Sequence, residues 1–212
     1  IANPNSPSGT LLPPARVREL AAALPCALVV DEAYAAFAEG DCVELAKRLP
    51  NVVVTRTLSK GHALAGLRAG YALCPSGVAE VLHRVRDSYN VNRLSQVAAL
   101  AALGDTAYYS GVVEKIKATR DRCIRDFSTH RGWFTYESQA NFIFTEPKNA
   151  RGEAGPAISK SAYDFLFAHK VLVRHFPKHA LTAPFLRISV GTDDEMLVLN
   201  ETLDAWLKTT NA

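Results

Sequence analysis

The sequence predicts an α/β fold in which part of a mainly parallel sheet is followed by a smaller α+β region. Three observations carry that expectation. Helical and extended patterns alternate from Leu12 to Pro75, as they do in βαβ units. Two short runs, Ala27-Leu28-Val29-Val30 and Val52-Val53-Val54-Thr55, have the continuous apolar or β-branched character of interior strands. After residue 128, short extended segments and helical patterns follow one another without that regular alternation.

Taken in order, Ile1-Ala2-Asn3-Pro4 reads as the end of a strand running into a turn. Residues 13–24 space their apolar side chains helically, with prolines at the start where a missing N–H costs least. The run 27–30 suits a strand buried on both faces. A helix is expected over 43–49, a central strand over 52–55, a third strand over 69–73 and a helix over 78–86.

Two longer helices are expected over 94–103 and 112–127. Gly104-Asp105 breaks them, with Asp105 and Thr106 as the N-cap candidates, and marks a domain boundary. Strands are then expected over 133–136, 141–145, 171–174 and 186–190, helices over 161–169 and 193–207, and a surface loop over 149–155.

Composition fits a folded globular chain: 48% of its 212 residues are hydrophobic and 21% charged, so disordered and fibrous classes are excluded. The net charge of +3 is spread along the chain, with no basic arm or stripe that would call for nucleic acid. Cys26, Cys42, Cys74 and Cys123 lie far apart without metal-binding spacing, and free thiols in a cytoplasmic protein are expected. No apolar run approaches the roughly 20 residues of a membrane span, and no targeting segment is visible.

Three stretches fall where an open parallel sheet presents its ligand site, at or past the carboxyl ends of strands: 3–9, 31–34 and 57–68. Lys60 lies in Thr57-Leu58-Ser59-Lys60-Gly61, a glycine-containing turn whose N–H groups suit a phosphate. A lone lysine is ordinarily a surface group. A lysine held in a desolvated pocket, however, loses its proton and can form an imine with an aldehyde cofactor. Asp31, at the tip of the first strand beside Glu32, would then pair with a protonated pyridine nitrogen; otherwise it caps a helix or meets an arginine. Tyr34 is placed to reach the ring oxygen, and Arg68 to clamp a phosphate with paired donors, aided by Thr57 and Ser59.

Asn-Pro-Asn-Ser-Pro-Ser-Gly at residues 3–9, Asp-Glu-Ala-Tyr at 31–34 and Thr-Leu-Ser-Lys-Gly-His-Ala-Leu-Ala-Gly-Leu-Arg-Ala-Gly-Tyr at 57–71 together resemble the fold type I, class I/II aminotransferases. Within that family the similarity is strongest to the histidinol-phosphate branch. It continues through Tyr89-Asn90-Val91-Asn92 and the stretch 185–192.

The resemblance implies pyridoxal 5'-phosphate as cofactor, with Lys60 bonded to it and moving the substrate proton. Asp31 would hold the ring nitrogen, Tyr34 and the asparagine turn the ring oxygen, and Thr57, Ser59 and Arg68 the phosphate. Arg187 would bind the substrate carboxylate, and Arg174 and Asn92 would contact substrate. Where the family has Asn before Pro-Thr-Gly, this chain has Ser6-Pro7-Ser8-Gly9, which leaves Asn5 and Ser6 as the candidates for the ring contact.

On the same resemblance, residues 1–104 are the remainder of a large cofactor-binding domain, 105–127 a connecting helix and 128–212 a small α+β domain. The family's chains carry a long preceding segment with a phosphate-binding turn and a stacking aromatic, so this stretch is expected to be the C-terminal part of a longer protein. The implied reaction is amino transfer from histidinol phosphate to 2-oxoglutarate by a homodimer. Decarboxylation of threonine phosphate on a closely similar scaffold is the alternative within pyridoxal chemistry, and a non-catalytic sensor or assembly module is the alternative outside it.

Overall fold

A computed structural model describes residues 1–210. It divides into two compact units, one made of residues 1–6 and 10–114, the other of residues 7–9 and the chain from Lys115 onward.

In the first unit, α1 (Pro14–Ala23) starts on its prolines and turns Val17 and Ala21 inward. It leads to β1 (Leu28–Asp31), a 3-10 turn at Ala35–Phe37 and α2 (Val43–Arg48). β2 (Val52–Thr57) pairs in parallel with β1, and β3 (Gly70–Leu73) pairs antiparallel with β2. The sheet order β1-β2-β3 makes β2 central, and the sheet is mixed rather than wholly parallel.

Leu28 and Val30 of β1 and Val52 and Val54 of β2 pack with Val17, Ala21, Leu45 and Ala46 from α1 and α2. The expectation that β1 is buried on both faces is not met in this chain. Its burial alternates and Val29 is 47% exposed, because both covering helices lie on the Leu28 and Val30 side. Ahead of β1 in sequence, Ala2 bridges in parallel to Asp31, so the opening residues do run as the end of a strand.

Helices α3 (Ser76–Val85), α4 (Arg93–Gly104) and α5 (Thr106–Arg125) follow. Asp105 accepts a hydrogen bond from the Tyr108 N–H at 3.3 Å, which is the capping role the sequence suggests for it. The division between the units falls inside α5, after Glu114. A π-helical turn, Asp126–His130, closes the α5 stretch.

The second unit holds a fully antiparallel sheet of β4 (Phe134–Thr135), β5 (Phe142–Glu146), β6 (Arg174–His175) and β7 (Leu186–Ser189), in the order β4-β5-β7-β6. Ile143, Leu186 and Ile188 turn toward a core with Phe127, Trp133, Leu166, Leu203 and Trp206. The core draws on α5, on α6 (Pro156–Ala168) and on α7 (Asp193–Thr209). A capping box starts α7: the Thr192 hydroxyl accepts from the Glu195 N–H, and the Glu195 carboxylate accepts from the Thr192 N–H.

Several local expectations shift: helix α5 begins at Thr106 instead of residue 112, and the strand expected over 133–136 shrinks to Phe134–Thr135. Helix α6 begins at Pro156 instead of residue 161, since proline suits a first helical position. The strand expected over 171–174 shrinks to Arg174–His175. Lys170 adopts a left-handed conformation (φ 63°), and the Val171 N–H bonds back to the Leu166 carbonyl at 2.9 Å, so the end of α6 consumes a donor that a strand would need. No described helix is long and apolar enough to cross a membrane.

Candidate active site

The parallel pairing of β1 and β2 sets Asp31 opposite Thr55, and the Glu32 N–H continues the ladder by donating to the Thr55 carbonyl at 2.8 Å. Both chains leave the sheet at this end, Asp31 into the turn that carries Tyr34, and Thr57 into the turn that carries Lys60. The Asp31 carboxylate is oriented by its own turn, since Oδ1 accepts from the Ala33 N–H at 3.1 Å.

Lys60 Nζ lies 5.7 Å from the centre of the Tyr34 ring, which brings the turns after β1 and β2 together at one place. Gly61 permits that approach. A Cβ added there would stand 2.8 Å from the Ala36 Cβ, a spacing that any larger side chain would have to push apart.

Thr57 and Ser59 lie side by side. The Thr57 hydroxyl donates to the Ser59 hydroxyl at 2.9 Å and accepts from the Ser59 N–H at 3.1 Å. The Ser59 N–H, expected to be a phosphate donor, is therefore already engaged within the turn. Arg68 ends the 3-10 turn Ala65–Leu67 in a left-handed conformation (φ 53°), and its guanidinium donates to the Ala65 carbonyl at 3.0 Å. Gly70 lets β3 close on the end of β2 just before the Lys60 turn, because a Cβ there would meet the Arg56 carbonyl oxygen at 2.7 Å.

Lys60 and Asp31 are both exposed in this chain, so the desolvated pocket expected around the lysine is not formed by the described residues themselves. Asn5 is half-buried, and its N–H donates to the Thr10 carbonyl at 2.8 Å. Asn92 is the N-cap of α4: its side-chain oxygen accepts from the Ser95 N–H at 2.9 Å. That engagement is a structural use of the group read from sequence as a substrate contact.

Arg174 and Arg187 belong to the second unit, where they face each other across β6 and β7. Both guanidinium carbons stand 5.8 Å from the Phe176 ring centre, and that of Arg187 lies 5.0 Å from Phe142. Two cations share an aromatic bed on the sheet face opposite the core, where the rings support both guanidinium groups.

Sequence reasoning did not single out the residues beneath the first site. Glu32 has no exposed side-chain surface. Its Oε2 accepts from Arg56 Nε at 3.0 Å and Nη2 at 2.8 Å, and its Oε1 accepts from the Cys42 N–H. Arg56 also pairs with Asp41 at 2.9 Å. Burial pulls the Arg56 pKa down, yet bonds to the two carboxylates outweigh it and hold the guanidinium firmly charged. Burial, reinforced by the Glu32 charge, pushes the Cys42 thiol up to about 11, so that sulfur is an inert packing group. The available signal was Arg56 itself, a charge within a short strand of otherwise uncharged residues, which calls for an acidic partner.

The turns that follow two paired strands thus carry an amine, a carboxylate, a phenol, two hydroxyls and a guanidinium, a donor set whose chemistry fits a cofactor carrying an aldehyde, a basic ring nitrogen and a phosphate. Residues 1–203 match the family model described as aminotransferase class I and II. The chain belongs to the class I and II aminotransferase family.

Among its aminotransferase relatives, the histidinol-phosphate aminotransferase of Geobacter sulfurreducens is 44% identical over 196 residues, which cover 92% of this chain and 53% of that protein. The crystal structure of histidinol-phosphate aminotransferase from Sinorhizobium meliloti in complex with pyridoxal-5'-phosphate superposes with a TM-score of 0.87 at 32% identity, over 99% of this chain and 57% of that one. The L-threonine-O-3-phosphate decarboxylase from Porphyromonas gingivalis, at 20% identity and a TM-score of 0.80 over 98% of this chain and 63% of its own, shares the fold. The chain spans about half the length of the aminotransferase relatives it matches.

Proposed function

We propose that the protein carrying this chain is a pyridoxal-phosphate-dependent aminotransferase that moves an amino group from histidinol phosphate to 2-oxoglutarate, a step of histidine biosynthesis. The observation that carries the reading is the meeting of the Lys60 and Tyr34 turns at 5.7 Å beside the Asp31 strand end. Identity of 44% to a histidinol-phosphate aminotransferase supports the choice of amino donor.

When bound, the cofactor supplies an electron sink for charge developing at the substrate α-carbon. Lys60 Nζ is the group that anchors it and carries the proton to and from that carbon. Asp31 keeps the ring nitrogen protonated, a task for a carboxylate whose direction is already fixed by the Ala33 N–H. Tyr34 and Asn5 bear on the ring oxygen. Thr57, Ser59 and Arg68 grip the phosphate once their present internal bonds are exchanged for it.

Arg187 takes the substrate carboxylate, with Arg174 beside it on Phe176 for a second anionic group and Asn92 as a further contact. A homodimer in the cytoplasm belongs to the same proposal.

The test uses the full-length protein. Added pyridoxal phosphate should give an imine absorbance band that Lys60→Ala removes, and histidinol phosphate with 2-oxoglutarate should yield glutamate. If the band is missing, or survives Lys60→Ala, the reading falls. The fold shared with a threonine-phosphate decarboxylase makes carbon dioxide release the one rival product to measure.

A further inference from the structure

One connected set of polar contacts, buried at Asn3 and Glu32 and partly exposed at Arg56 and Asp41, runs beneath all three stretches that carry the site. Asn3, 2% exposed, donates its N–H to the Asp31 carbonyl at 2.8 Å. Its side chain holds the Leu12 N–H at 2.7 Å and the Leu12 carbonyl at 3.0 Å, and reaches the Cys42 sulfur at 3.9 Å. The Cys42 N–H donates to Glu32, Glu32 takes both bonds from Arg56, and Arg56 continues to Asp41. Glu32 directly follows Asp31, and Arg56 directly precedes Thr57.

A buried ion pair is a poor device for stability alone, because desolvating both charges offsets most of their attraction. Apolar residues of similar size would hold β1 to β2 at least as well. What they would not do is fix direction. Two bonds from a planar guanidinium to one carboxylate oxygen, with the other oxygen held by the Cys42 N–H, set the position of the strand ends to within the tolerance of a hydrogen bond.

We infer that Glu32, Arg56 and Asp41 form a positioning brace, which sets Asp31 and the Thr57–Lys60 turn at the spacing the cofactor requires before any cofactor arrives. None of the three touches the bound group in this scheme; each acts through a chain neighbour or through another member of the brace. The inference rests on the pyridoxal-phosphate reading for its purpose, while the brace itself can be tested without cofactor.

The test compares full-length protein with Glu32→Gln, Arg56→Lys and Asp41→Asn, and with the surface change Glu44→Gln as control. In cofactor-free protein, amide hydrogen exchange over 31–34 and 57–60 should speed up by about tenfold or more in Glu32→Gln, while α6 and α7 keep wild-type rates. With pyridoxal phosphate, measured well below each variant's melting temperature, the dissociation constant should rise roughly tenfold and the pH midpoint of the imine band should move, on the scale that small misplacements produce at reacting centres.

Asp41→Asn, at a half-exposed position where folding is secure, should move every readout the same way by less. Should Glu32→Gln fail to fold, Arg56→Lys and Asp41→Asn decide the matter by the same measurements. A lower melting temperature with unchanged local exchange, cofactor affinity and imine midpoint would overturn the inference and leave a merely structural pair. Faster exchange over 31–34 and 57–60 in the variants, together with wild-type protein that forms no imine, would uphold the brace and end the pyridoxal-phosphate reading instead.

Discussion

The two units hold their functional side chains by different means. In the second, Arg174 and Arg187 stand on one face of a sheet whose other face closes on a large apolar core containing Trp133 and Trp206. Those tryptophans meet edge to face at 6.2 Å, and Phe127 packs on Trp133 at 5.4 Å. In the first, β1 and β2 have a smaller aliphatic core on one side, and the residues at the strand ends are tied by charged and backbone hydrogen bonds. Apolar packing fixes where the second sheet lies. Directional bonds restrict the first at the one end where spacing matters.

That contrast predicts where a substitution costs stability and where it costs function. The largest expected effect lies in the second core. Trp206→Ala removes a side chain that is 1% exposed and should lower unfolding free energy by about 3–5 kcal/mol in denaturant titration. The position of the imine band in the protein that remains folded should not move. A shifted band at full occupancy would break the distinction between the two units.

Gly61→Ala probes the other side of the comparison. Its new methyl would meet Ala36 at 2.8 Å, and overpacking of this kind costs roughly 1–3 kcal/mol. Because the strain would fall between the Lys60 and Tyr34 turns, cofactor affinity should drop by more than the loss of stability alone implies. Equal affinity for wild type and variant would mean that the close approach does not matter to the site. A smaller change is expected at Thr192→Ala, which deletes half of the α7 capping box: about 1 kcal/mol of stability, with no change in cofactor affinity.

Much of this arrangement was legible because it is local. Strand ends, glycine turns and the hydroxyl pair before Lys60 follow from periodicity and residue type over a few positions, and the motif stretches lie where those patterns put them. The brace was not legible, since the meeting of Glu32 and Arg56 depends on the register that sets Asp31 opposite Thr55 across 24 residues. Nor was the pairing of Arg174 with Arg187, which rests on the antiparallel join of β6 and β7. The run Val171-Leu172-Val173 misled for a different reason: high strand propensity lost to the backbone bond that terminates α6. The exposed face at Val29 escaped as well, because an apolar run reports what a strand can bury and not what covers it.

His62 gives the mildest and most specific test of the first unit. It follows Lys60 by two residues, its ring lies 4.9 Å from that of Tyr109, and its Nδ1 is buried with no hydrogen-bond partner among the described residues. Burial lowers its pKa below the usual 6.5, since the protonated ring would lose hydration with nothing to replace it. The unfolded chain takes up that proton near pH 6.5, ahead of the folded one. Its contribution to stability is therefore complete above that pH, declines as pH falls below it, and levels off once the folded ring is protonated too. His62→Phe keeps a ring beside Tyr109 and removes the proton site. Between pH 7 and 5 the wild-type melting temperature should fall further than that of His62→Phe. Parallel curves would show that the proton at position 62 is not felt by the fold, and that the Lys60 turn is insensitive to charge at its apolar edge.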